Sequence, residues 1–173
     1  MPGSMEHERG VFLPALGTIV FVLLVPGTVA VAVPYLLTHW RVAPPLLGWG
    51  VTRWIGAALL ACALPLFVAF NLRFVVEGRG TPAPVAPTQR LVMGGPFRWV
   101  RNPGYVAVVA LLVGQALVFG STLLLAYAGA VAACFHLFIV LYEEPTLRKQ
   151  FGAEYEAYSQ QVPRWVPGWG RRG

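Results

Sequence analysis

Apolar residues fall in long blocks along this chain, separated by short polar stretches, and the block lengths match bilayer-crossing helices rather than half-buried ones. Between Arg9 and Arg41 lie 31 residues without Asp, Glu, Lys or Arg, which predicts a first span over 11–38. Pro14, Pro26 and Pro34 interrupt it, so the span is tilted or kinked, or starts in the interface. It is too long for a signal-peptide core, and Glu6 and Glu8 outweigh Arg9 ahead of it, so it reads as a retained span. A second span is predicted over 54–73, with Pro65 as its kink, after a loop whose Trp40 and Trp49 suit headgroup depth. The connection over 77–103 is dense in Pro and Gly and has no period; it ends in "GGPFRWVRNPGY".

From Gly104 to Tyr142 there are 39 residues without a charge. As one helix they would reach about 58 Å, nearly twice the hydrocarbon thickness, so the pattern predicts a hairpin. Its spans are 104–120 and 122–142, turning at "FGST". Ala126, Gly129, Ala130 and Ala133 would let the last span approach a neighbour closely. Over 143–167 the pattern becomes amphipathic, with Leu147, Phe151, Tyr155, Tyr158 and Val162 on one stripe, as for a helix on the membrane surface or over the mouth of a site. The expected fold is all-α: one integral membrane domain over 1–173, a bundle of about four transmembrane helices plus a C-terminal amphipathic interfacial helix.

Composition agrees, with 57% hydrophobic and 12% charged residues. The charges are 12 Arg, one Lys and seven Glu with no Asp, which removes any chemistry that needs a catalytic aspartate. A net charge of +6 raises nucleic acid as a partner, but the basic residues sit between apolar spans, so anionic lipid headgroups are the better counterpart. Four spans put 11 of the 13 basic residues on one side, which should be cytoplasmic and carry both termini. Cys62 and Cys134 lie inside spans without metal or redox spacing, and His7, His39 and His136 are scattered, so no metal site is proposed. His136 reads as a satisfied polar residue of the bundle.

Chemistry concentrates at two places. Glu143 and Glu144 stand where an apolar helix meets the interface, a costly position for carboxylates unless they face a cavity or a cation. The plain reading is that they end the last span, Glu144 capping the next helix ahead of Pro145. The hairpin, however, returns them to the face that holds Arg98 and Arg101. There "GGPFRWVRNPGY" offers prolines that fix the chain, glycines that admit a ligand, and donors on Arg101 and Asn102. Arg164 in "VPRWVP" either neutralises an acceptor's carboxylate or phosphate or snorkels to headgroups; Tyr155 and Tyr158 read first as packing residues.

"GPFRWVRNPGY", a helical hairpin, "EE" and "LRKQFGAEYEAYSQQVPRWVP" in that order, over about 94–167, resemble the C-terminal half shared by isoprenylcysteine carboxyl methyltransferases and the related phospholipid methyltransferases. These are small integral membrane enzymes that use S-adenosylmethionine. The family's Arg-His-Pro reads Arg101-Asn102-Pro103 here. The resemblance implies a cofactor site of Arg101, Asn102, Pro103, Tyr105, Glu143, Glu144 and Tyr155, with Arg164 and Glu144 at the chemistry. It implies methyl transfer to an amphiphilic, in the first instance prenylated, acceptor that enters from the bilayer. A phospholipid or small thiol is the alternative acceptor, and a non-catalytic scaffold for anionic lipid is the alternative outside enzymes.

Overall fold

The computed structural model describes residues 19–76 and 91–167, and every regular element among them is helical. The expected first-span residues 11–18 and the connection over 77–90 lie outside the described residues. Helix α1 covers Ile19–Thr38, α2 Val51–Val76, α3 Pro103–Phe119, α4 Thr122–Phe151 and α5 Ala153–Gln161. By length and composition α1, α2 and α4 can each cross a membrane; α3 is as apolar but has 17 residues, the short end of that range. Large side chains such as Leu24, Leu36, Trp54 and Leu141 are exposed along these helices, which suits a lipid solvent and not water.

Two prolines share one solution. A proline inside a helix lacks an N–H and crowds the carbonyl four residues back. Pro34 and Pro145 each follow a five-residue π-helical turn, at Thr28–Ala32 and Ile139–Glu143, which widens the ladder ahead of the ring. In α1 the carbonyls of Val29 and Ala30, which have Pro34 where a donor would come, accept instead from the Tyr127 hydroxyl (3.1 Å) and the Gln115 amide (2.8 Å). Backbone groups with no water at hand are thereby satisfied by the neighbouring helices. In α4 the helix passes through Glu143 and Glu144 without a break, so Glu144 is no cap. Pro65, by contrast, sits inside α2 without dividing it.

Packing centres on α3. Its Val108 and Leu112 form a buried cluster with Ala30 of α1 and Ala128 of α4, flanked by Phe67 of α2. The α2–α3 crossing is tight because two glycines meet there: a Cβ on Gly56 would lie 2.7 Å from the Gly114 carbonyl oxygen. The small residues expected to bring α4 against a neighbour face outward instead; Ala126, Gly129, Ala130 and Ala133 are exposed, and Ala128 is the buried one. The α3–α4 turn forms at Gly120, in the left-handed region (φ 68°), and the Ser121 hydroxyl accepts from the Leu124 amide to start α4. A side chain at residue 120 would also strike the Pro44 carbonyl.

The amphipathic stretch is two pieces, not one helix. The backbone turns at Gly152 (φ 51°), ending α4 and starting α5. Both pieces still contribute to one stripe: Tyr155, Tyr158 and Val162 are buried together, against Leu147, Phe151 and Leu91.

Candidate active site

The antiparallel α3–α4 hairpin places the start of α3 beside the end of α4, and the residues 162–165 after α5 are laid across both. This strap is fixed at four points. The Arg101 amide donates to the Pro163 carbonyl (2.9 Å), the Asn102 side-chain amide to the Arg164 carbonyl (3.2 Å), and the Arg164 side chain reaches Glu144. The fourth is the Trp165 indole, which donates to His136 Nδ1 (3.3 Å).

Glu144 is the hub. It is 3% exposed, and Arg164 engages both its oxygens, Nε to Oε1 at 2.6 Å and an Nη to Oε2 at 3.0 Å. Such a fork is the strong form of a carboxylate–guanidinium pair. Arg101 adds a contact at 3.3 Å and Arg148, one turn further along α4, another at 3.5 Å. Arg148 also pairs with Glu156 (3.3 Å) and lies over the Tyr155 ring. The pairing with Glu144 holds Arg164 protonated, pushing its pKa up.

Glu143 turns the other way. Its Oε2 accepts from the Tyr105 hydroxyl at 2.8 Å, and the Tyr105 ring rests on Phe135. Adjacent carboxylates thus have different partners: guanidinium groups for one, a phenol against an aromatic wall for the other. The Arg101 side chain donates to the Tyr155 hydroxyl (3.2 Å), yet its Nε is buried with no partner. Burial raises the pKa of Tyr155 and Tyr158, so both keep their hydroxyl hydrogens. Tyr158 spends its own on the Phe97 carbonyl, at 2.8 Å.

The eight residues that the resemblance implied for the site therefore lie at one end of the bundle. Arg101, Tyr105, Glu143, Glu144, Tyr155 and Arg164 are joined by side-chain hydrogen bonds or ion pairs; Asn102 and Pro103, both buried, start α3 beneath them. Three readings change. Asn102 is bonded to the strap's backbone. The glycines of the knuckle admit α2: Gly95 abuts the Arg73 guanidinium and Gly104 the Phe70 ring. His136 is exposed on α4 and paired with the strap, where the sequence predicted a residue turned into the bundle. Arg148 is the residue sequence reasoning missed, although its spacing of four from Glu144 was a legible signal.

An apolar bundle with charges gathered at one end, around a buried carboxylate, defines an integral membrane protein with a polar site at the edge of its spans. The family model described as phospholipid methyltransferase matches residues 51–154, and the chain belongs to that family. It is accordingly a membrane methyltransferase. The match takes in α2, beyond the resemblance read from the motifs, and stops before Tyr155 and the strap. None of the curated proteins matches the chain.

Proposed function

We propose that the protein transfers the methyl group of S-adenosylmethionine to an amphiphilic acceptor in the membrane, of the isoprenylcysteine carboxyl type, from a site on the cytoplasmic side. The observation that carries this reading is the meeting of two carboxylates, three arginines and two tyrosines at the end of the hairpin, with the buried Arg101 Nε left over. The cofactor presents a carboxylate, an ammonium, hydroxyls and a flat base. A donor without a partner fits the carboxylate, and Glu143 with Tyr105 fits the ammonium or a hydroxyl. When bound, S-adenosylmethionine supplies an electrophilic methyl group, whose bond to sulfur breaks, leaving the pair on sulfur, as the acceptor's lone pair attaches.

The chain's own residues position and neutralise. Of its five N–H donors Arg164 commits two to Glu144, so three remain to orient an anionic acceptor beside the same fork. Glu144, surrounded by Arg164, Arg101 and Arg148, organises those guanidinium groups and is poorly placed to take a proton. An acceptor that is already a carboxylate or thiolate needs no base, which favours the isoprenylcysteine type over an amine-bearing phospholipid. Orientation supplies most of the rate in such a site.

Calorimetry on detergent-solubilised protein should show saturable binding of S-adenosylmethionine, weakened at least tenfold by Arg101→Ala and by Glu143→Ala; no saturable binding, or affinity unchanged from the unsubstituted protein in both variants, refutes the reading. Labelled-methyl transfer to a prenylcysteine, to phosphatidylethanolamine and to a small thiol then assigns the acceptor. Transfer to phosphatidylethanolamine alone moves the protein to the phospholipid type.

A further inference from the structure

The loop over 39–50 joins α1 to α2 beside the α3–α4 turn, at the end of the bundle away from Glu144, and two cations lie there that the candidate active site does not use. Arg41 is exposed in the loop, and Arg53 stands half-buried in the first turn of α2. Arg53 donates from Nη2 to the Ala43 carbonyl (2.8 Å), while its Nε is buried without a partner. One of its five N–H groups is thus bonded and one sealed off, and three remain for an acceptor outside the chain. No carboxylate offsets either charge: among the described residues the glutamates, Glu143, Glu144, Glu154 and Glu156, all belong to the other end. Cations at the edge of an apolar bundle, without an acidic partner in the chain, need an anion from outside it. We propose that this loop binds the phosphate of an anionic phospholipid between Arg41 and Arg53, in the leaflet away from the candidate active site, with Val42, Leu47 and Trp49 against its acyl chains.

Three observations select that occupant. The first is depth: Trp40, Trp49 and Trp54 bracket the two arginines along the chain, and indoles gather at headgroup level, where lipid phosphates lie. The second is the meeting of uncompensated charge with bare apolar surface. Val42, Leu47, Trp49 and Trp54 are all exposed around Arg41 and Arg53, and an amphiphile matches both parts where inorganic phosphate matches one. The third is a site formed in advance. His39, Trp40 and Leu47 have φ of 49°, 50° and 60°, an unfavourable region for residues that carry a side chain. The loop is held in that shape by the Ala43 amide, which donates to the Phe119 carbonyl (2.9 Å), by the Trp40 ring stacked on Phe119, and by Arg53 itself. Little ordering therefore opposes binding. The count of basic residues that orients the chain leaves Arg41 and Arg53 on the minority side, and a ligand of their own accounts for their presence there.

The test needs no methyl transfer. In phosphatidylcholine nanodiscs the full chain is photolabelled by phosphatidylglycerol with a diazirine near the glycerol, and separately by phosphatidylcholine with the same group. Phosphatidylglycerol should label peptides covering 39–54 at least fivefold above phosphatidylcholine, and Arg41→Gln and Arg53→Gln should each cut that labelling at least threefold. Arg41→Gln keeps the bond from Arg53 to Ala43, so its effect reports charge and not a disordered loop. A benzophenone introduced as Val42→p-benzoylphenylalanine should capture the same lipid. Labelling without preference for phosphatidylglycerol, or left unchanged by either variant, overturns the proposal, as does capture of a second copy of the chain at residue 42. Displacement of the lipid by millimolar inorganic phosphate at constant ionic strength makes this a site for a free anion and overturns the lipid assignment.

Discussion

Glu144 shows how one side chain can be both buried and charged. Taking a carboxylate out of water costs several kcal/mol, and the cost is offset only when partners and hydrogen bonds surround it. Arg164 and Arg101 do so from side chains that are 32% and 12% exposed, whereas Arg148, at 43%, keeps one edge in solvent. Glu144→Gln leaves three cations facing a neutral amide and should cost about 3 kcal/mol. Arg148→Ala should cost below about 1 kcal/mol, as exposed pairs do. Thermal unfolding in detergent compares the two; equal shifts would mean that Glu144 is not the hub. At this scale the sequence was legible where physics forbids an isolated charge: the glutamate pair called for cations, and the hairpin brings Arg101 to Glu144, although Arg164 lies closer and Glu143 takes the Tyr105 phenol instead. Asn102 and His136 were not legible in the same way. Their partners, Arg164 and Trp165, lie in a segment without periodicity, brought near only by the tertiary fold.

Helices were predicted by hydropathy, but hydropathy says nothing about azimuth. Two features supply it. One is the pair of π-helical turns ahead of Pro34 and Pro145. A single extra residue in a turn rotates the remainder of a helix by about 100°, so the turn at Ile139–Glu143 helps decide that Glu143 meets Tyr105 and Glu144 meets Arg164. The other is the glycine contact between α2 and α3. Gly56→Ala drives a methyl group into backbone at 2.7 Å and should destabilise by about 1–3 kcal/mol. Gly129→Ala meets nothing within 4 Å and should stabilise by about 0.5–1 kcal/mol through helix propensity. The two melting shifts should therefore have opposite signs. Small residues in α4 looked like the contact face because composition alone cannot distinguish a helix face that meets another helix from one that meets lipid.

Across the whole molecule, the motif-based resemblance started at the knuckle while the family match starts at Val51. The difference is α2, which contributes shape: Gly56 against α3, Phe70 against Gly104, Arg73 against Gly95. Close packing leaves no chemical signature for a reader of motifs. At the other end the match stops at Glu154, so the strap lies outside it. A chain ended after Gln161 should retain its helical spans by circular dichroism and lose at least tenfold in affinity for S-adenosylmethionine; full affinity would make the strap a bystander. The strap also bears on timing. Under the proposed function one product is water-soluble and the other stays in the membrane, and consecutive strap residues, Arg164 on Glu144 and Trp165 on His136, are joined by one peptide bond. On that proposal, freeing one contact should loosen the other, so the order of release would belong to the protein and not to the separate affinities of its two products.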